Sequence, residues 1–258
     1  MKLPVLALLV LLSIATHQPI ALAQDAKEPK FQFPANFVGE ECDAIVDALK
    51  NQKLNKDEFE TSAAFADRVQ SAMNSTVVAG RNLSEPRYFV NSDHTSAVYD
   101  ADKGMLKVYG SLRQSTRVSE AVKYASTVIV KKRSAESSEY AAENRFGATT
   151  TVKRYRDEIC GVAFLNVSPV TDHQWMGSIE FPLSAESARL SRGKISIVYL
   201  ARLSPPLLVE HRQRIAATMS APSEIVVSGD ALTAILERFY VINKATGEVL
   251  FERVYSPR

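Results

Sequence analysis

The sequence predicts an α+β fold, with N-terminal helices packed on a large antiparallel β-sheet or two-layer β-sandwich. Three observations carry this expectation. Apolar residues recur at helical spacing between residues 37 and 73. From Ser75 onward they fall instead in short β-branched and aromatic runs separated by turn residues. Helices first and strands after is the pattern of segregated α+β domains, not of alternating α/β ones. In addition, 46% hydrophobic and 23% charged residues leave enough apolar surface for a core, which excludes a disordered chain.

Residues 1–23 read as a secretory signal peptide. Lys2 opens it, an apolar stretch follows that is too short to span a bilayer, and Ala21-Leu22-Ala23 offers the small residues a signal peptidase selects. The expected mature chain starts at Gln24 and is periplasmic or secreted, with no later stretch apolar enough to span a membrane. Residues 24–36 read as an extended leader containing Pro29 and Pro34, and residues 37–258 as a single domain.

The domain reads element by element. Val38, Cys42, Ile45, Val46 and Leu49 lie on one face of a helix over residues 37–49. Thr61 is placed to cap a second helix whose stripe continues through Phe65, Val69 and Met73, with Phe59 set to pack back on Phe65. Strands are expected at 76–79, 87–90, 96–99, 105–112, 126–131, 149–155, 159–165, 177–181, 194–203, 224–227, 234–242 and 248–254. The turn 100–104 joins two of them, and the turn 243–247 closes a C-terminal hairpin. Ser184 caps a short helix ended by Gly193. Residues 209–219 are weakly amphipathic and are read as helix.

Three stretches together carry a resemblance. Residues 57–68 (Asp-Glu-Phe-Glu-Thr-Ser-Ala-Ala-Phe-Ala-Asp-Arg) resemble a "GEFETTAEFEAR" helix entry. Residues 184–189, with the strand 195–203 and Pro205-Pro206, resemble a short helix, strand and proline step. Residues 237–242 with 246–250 resemble a closing "TGEVL" hairpin. On these residues the chain is similar to a loose group of exported bacterial proteins of unknown function. The resemblance implies an exported or envelope-associated α+β domain and brings no activity. Asp57 and Ala64 depart from the pattern, and Ala64 removes the glutamate of a capping box.

Cys42 and Cys160 are the only cysteines. In an oxidising compartment they are disulfide candidates. The alternative is a catalytic thiol, for instance Cys160 served by His173.

The search for other chemistry returns little. No metal-ligand spacing, nucleophile elbow or phosphate-binding glycine loop occurs, so no catalytic, metal or cofactor-binding residue is expected. Asp100-x-Asp102-x-Gly104 is a fragment of a calcium loop, with a plain turn as the simpler reading. Basic and acidic residues balance at 31 against 29, which excludes a general nucleic-acid binder. The densest basic clusters are 131–133, 153–156 and 211–214. In a strand Arg154, Arg156 and Glu158 share one face, while Lys153, Tyr155 and Asp157 share the other. Trp175 is a contact residue or packs on the sheet.

The function expected is a non-catalytic envelope or secreted binding module. Its partner is an envelope protein or an anionic surface glycan. Convergent ionisable groups in a polar concavity would count against a purely non-catalytic role. The alternatives are a hydrolase using His173 or His211, with Asp172 or Glu210 nearby, and an assembly partner using an exposed strand edge.

Overall fold

A computed structural model describes residues 31–52, 54, 56–91, 95–109, 114–119, 124–167 and 178–255. The expected signal peptide and most of the leader lie outside these residues, as do Asp93, His94, Asp172, His173 and Trp175. The chain forms α1 (Cys42–Asn51), α2 (Ser62–Ser75), β1 (Val77–Val78), β2 (Arg81–Asn82), β3 (Arg87–Val90), β4 (Ser96–Asp100), β5 (Met105–Tyr109) and β6 (Gln114–Arg117). It continues through β7 (Tyr124–Glu143), β8 (Thr149–Phe164), β9 (Ser178–Pro182), α3 (Ala185–Ser191), β10 (Ile195–Ile215), β11 (Ser223–Asn243) and β12 (Glu248–Val254). The fold is β-rich, with three short helices among the described residues.

The main sheet runs β3-β10-β11-β8-β7-β6, with β12 paired to β11 alongside. It is mixed, not antiparallel: β8 and β11 pair in parallel from Lys153↔Ser223 to Phe164↔Ala234. Turn signals between neighbouring runs point to hairpins. They carry no information on strands separated by β9, α3 and β10, which is how the parallel pair arises.

Four strands are longer than their apolar residues require. The runs expected at 149–155 and 159–165 are one strand, and those at 224–227 and 234–242 are another. Residues 209–215 are strand, not helix, because Leu208↔Leu232 through Ile215↔Ile225 continue the β10–β11 ladder. That ladder shifts register between Leu200 and Ala201, and breaks between Leu203 and Leu208, where Pro205 and Pro206 lack the N–H a ladder uses. Each long strand has an apolar half and a polar half. Along β8 the change comes at Ile159, beyond which every residue to Phe164 is buried.

One face of the apolar half joins Cys160, Val162 and Phe164 of β8 to Tyr199 of β10 and Leu232 of β11. Cys42, Ile45, Val46 and Leu49 of α1 belong to the same core, as do Val69 and Met73 of α2. The small sheet β4-β5-β9 adds Leu106, Val108 and Phe181. A disulfide joins Cys42 to Cys160 with the Cα atoms 6.0 Å apart, so Cys160 is not a free thiol for His173 to activate.

On the opposite face, Phe33 is buried against Phe37, Tyr88 and Tyr240 at ring separations of 4.9, 5.4 and 5.2 Å. The described end of the leader is therefore packed. Its main chain bonds Gly247, whose φ of +77° suits glycine, and a Cβ there would fall on the Phe33 carbonyl oxygen.

Local details differ where polar contacts replace apolar ones. α1 starts five residues later than expected, after Gly39 at φ +73° and an extended Glu41, leaving Val38 76% exposed. Thr61 caps α2 by accepting from the Ala64 N–H at 3.1 Å. Phe59 is 89% exposed, so it forms no staple; the Glu60–Arg68 ion pair at 2.8 Å secures the helix entry instead. Ser184 caps α3 as expected.

The disulfide closes a sequence separation of 118 residues. Loop-closure entropy sets its contribution at up to about 5 kcal/mol. A Cys42→Ala/Cys160→Ala variant should unfold at a clearly lower urea concentration than the oxidised parent, and the parent's intact mass should rise by two hydrogens on reduction. Coincident unfolding curves would contradict this role.

Candidate functional site

The polar halves of β7, β8, β11 and β10 form a concavity of about 970 Å³. Its composition follows from register. Glu136 of β7 faces Arg156 of β8, which faces Val226 of β11, which faces Arg214 of β10. In the next row Ser134, Glu158, Ser228 and Arg212 stand side by side. Side chains two residues apart share a face, so Arg154, Arg156 and Glu158 point together as the sequence pattern implied. The basic clusters at 131–133, 153–156 and 211–214, far apart in the chain, thus lie on strands of one sheet.

Two networks brace the concavity. At the end nearest the core, the Arg133 Nε donates to Asp43 at 2.7 Å, and its Nη1 lies 2.7 Å from Asp230. Lys50 donates to Asp230 at 3.0 Å, and Lys131 lies 3.0 Å from Asp43. Together these contacts tie both ends of α1 to the sheet just where the disulfide enters it. Burial raises the pKa values of Asp43 and Asp230. Arg133 with Lys131 or Lys50 outweighs that and holds both below the ordinary carboxylate range.

At the far end, Glu224 has a side chain only 3% exposed. Tyr140 Oη donates to it at 2.7 Å and Arg154 at 3.2 Å, while the Arg214 Nε lies 2.9 Å away. The Tyr140 hydrogen bond, then Arg154 and Arg214, keep Glu224 below its usual pKa despite burial. The Arg154 guanidinium also lies over the Tyr140 ring, 4.6 Å from its centre.

Lys50, Arg133, Arg154 and Arg214 therefore each have an acidic partner. Arg156 and Arg212 line the same concavity, are exposed, and among the described residues their side chains have no hydrogen-bond or ion-pair partner. They flank β11 one step apart, about 12 Å between backbones from a ~4.8 Å strand spacing and a ~3.3 Å rise. Convergent ionisable groups are thus present, the feature expected to count against a purely non-catalytic role. The three carboxylates of the two networks, Glu224 buried and Asp43 and Asp230 half-buried, are held ionised, so they accept hydrogen bonds and do not shuttle protons near neutral pH.

Of the two histidines expected to serve a hydrolase, His173 lies outside the described residues and His211 lies away from the concavity. Glu210 lines the concavity, but His211 points to the other face, as neighbours in a strand must. His211 is fully buried, with Nδ1 2.7 Å from the Thr116 hydroxyl, which in turn lies 2.5 Å from the Thr127 hydroxyl. Among the described residues no acid pairs with it, and its full burial keeps it from a substrate in the concavity, which removes the Glu210–His211 pair as a working base. Its Nε2 is buried without a partner, and burial lowers its pKa.

Asp100 serves the β4–β5 turn, accepting from the Asp102 and Lys103 N–H groups at 3.1 and 3.2 Å. Among the described residues no group of three or more His, Cys, Asp or Glu side chains is arranged to hold a metal ion, and no helix is long and apolar enough to cross a membrane. Compared with protein-family models, curated proteins and solved structures, the chain has no match.

His211 generates a pH dependence. Its folded pKa lies below the ordinary 6.5, so below pH 6.5 the unfolded chain takes up a proton that the folded chain refuses. Stability is full above pH 6.5 and falls as pH drops toward the lower folded value. Urea unfolding between pH 5 and 7 should show a steeper loss for the parent than for His211→Asn; parallel losses would contradict the assignment.

Proposed function

We propose that the chain is an exported binding module whose charged concavity holds an anionic ligand, with an acidic glycan as the chemical class. The observation that carries this is the pair of unpartnered guanidinium groups, Arg156 and Arg212, in a concavity whose other cations are all neutralised. Guanidinium groups bind carboxylate, sulfate and phosphate oxygens through paired N–H donors. Glu136 and Glu210 line the same space and are placed to accept from sugar hydroxyl groups. The site stands on strands, not loops, which favours a preorganised surface. The disulfide supports an extracytoplasmic address. The resemblance to exported bacterial proteins, through residues 57–68 and 246–250, points the same way.

Assembly through the outer edge of β7 is disfavoured by its charge. Beyond the short β6 pairing, that edge carries Lys131, Lys132, Glu136 and Glu139, the kind of residues that block edge-to-edge pairing.

The test is calorimetric titration of the intact chain with oligogalacturonate, a carboxylate-bearing glycan, and with a neutral dextran oligomer of equal length. Binding should be confined to oligogalacturonate and should weaken with added salt. An Arg156→Ala/Arg212→Ala variant should lose it at least tenfold while keeping the parent's melting temperature, because both side chains are exposed. Equal binding of dextran, or an unaffected double variant, would overturn the proposal.

A further inference from the structure

A second concavity, of about 680 Å³, lies away from the charged strands, between β4 and α3. Its lining takes Thr95 and then consecutive residues of β4, from Ser96 to Tyr99. Consecutive residues of a strand face opposite sides, so the space runs along the strand's edge and not over one of its faces. β4 is the terminal strand of β4-β5-β9, and among the described residues no strand pairs with that outer edge. The facing wall is α3, which presents the small side chains of Ala185 and Ala188, while Leu106 and Ile195 supply apolar surface.

This edge is unlike that of β7. Ser96, Ala97, Val98 and Tyr99 carry no charge and no proline, the devices that protect an open edge, and Val98 is 59% exposed; the strand's one charge, Asp100 at its end, is engaged by the turn amides and Lys103. An unprotected edge with a groove beside it is suited to take an added strand, whose main chain bonds the edge and whose alternate side chains enter the groove. Charge narrows the occupant. Arg189 and Arg192 line the groove, are exposed, and among the described residues their side chains have no hydrogen-bonding or ionic partner. Among the described residues they are the groove's only ionisable side chains apart from Tyr99, whose hydroxyl bonds the Leu183 carbonyl at 3.1 Å.

We infer that the outer edge of β4 is a docking site for an extended, acidic segment of another polypeptide, which adds as a strand and sets its carboxylates against Arg189 and Arg192. The small residues of α3 leave room for its side chains.

The test uses an end-blocked heptapeptide alternating aspartate with valine, and its asparagine–valine counterpart, each titrated into the isotopically labelled intact chain. The aspartate peptide should slow amide hydrogen exchange at residues 96–100 and shift the α3 resonances. The asparagine peptide should bind at least tenfold more weakly. Arg189→Ala/Arg192→Ala should weaken the aspartate peptide by a similar factor. No binding of the aspartate peptide, equal binding of the asparagine peptide, exchange unchanged at residues 96–100, or an affinity untouched by the double variant would each overturn the inference. So would sedimentation showing a dimer of this chain that already covers β4. The peptide comparison on the parent stands even if the double variant fails to fold, and Arg156 and Arg212 play no part in it.

Discussion

The parallel pairing of β8 with β11 is the joint on which the rest of the architecture turns. It couples two long antiparallel hairpins, β7–β8 and β10–β11, so that both tips lie at one end and both apolar halves at the other. An antiparallel joint would set each polar half beside an apolar one, and neither a continuous core nor a charged concavity would result. The close approach depends on Gly229, which faces Ile159 in the parallel register at φ +150°. A Cβ there would fall on the Ile159 carbonyl oxygen, and few L-residues adopt that φ.

At the point where core gives way to charge, one covalent bond and one ionic network meet. Cys160 is the last step of the apolar run on its face, and Asp230, its partner in register, begins the charged one. α1 is fixed there by the disulfide and by Lys50, and through Asp43 it is held to Arg133. Taking Arg133, Asp43 and Asp230 partly out of water carries a desolvation penalty, which their mutual hydrogen bonds offset. The same bonds consume those cations, which is why the groups left for a ligand are Arg156 and Arg212.

What the sequence disclosed follows from which forces act locally. Thr61 and Ser184 were legible because a cap is a contact across three residues. The C-terminal hairpin was legible from its Thr246-Gly247 turn, and the cysteine pairing from there being only two. The polar halves of the long strands were not. Residues 209–215 lack clear alternation, and only pairing with 225–231 makes them strand. Nor could spacing reveal that 131–133, 153–156 and 211–214 meet, since register across the joint decides it. The exception was the face shared by Arg154, Arg156 and Glu158, which strand periodicity fixes by itself. Arg87 was invisible for a related reason. Fully buried, it pairs with Glu40 at 2.8 Å and donates to the Arg81 and Asn82 carbonyls at 2.7 and 3.1 Å, contacts set by tertiary folding.

Both proposed sites rest on one contrast, between cations the fold neutralises and cations it leaves unpaired. For the concavity, that contrast exists only if the two hairpins point the same way. The most direct measurement is the distance between spin labels at the two tips, introduced as Arg145→Cys and Ser220→Cys with the native disulfide intact, read by pulsed electron resonance. The parallel joint puts the tips at one end, within roughly 25 Å given strands ~4.8 Å apart. A distance of about 50 Å, the length of a 16-residue strand such as β8 at ~3.3 Å per residue, would place the tips at opposite ends and contradict the account.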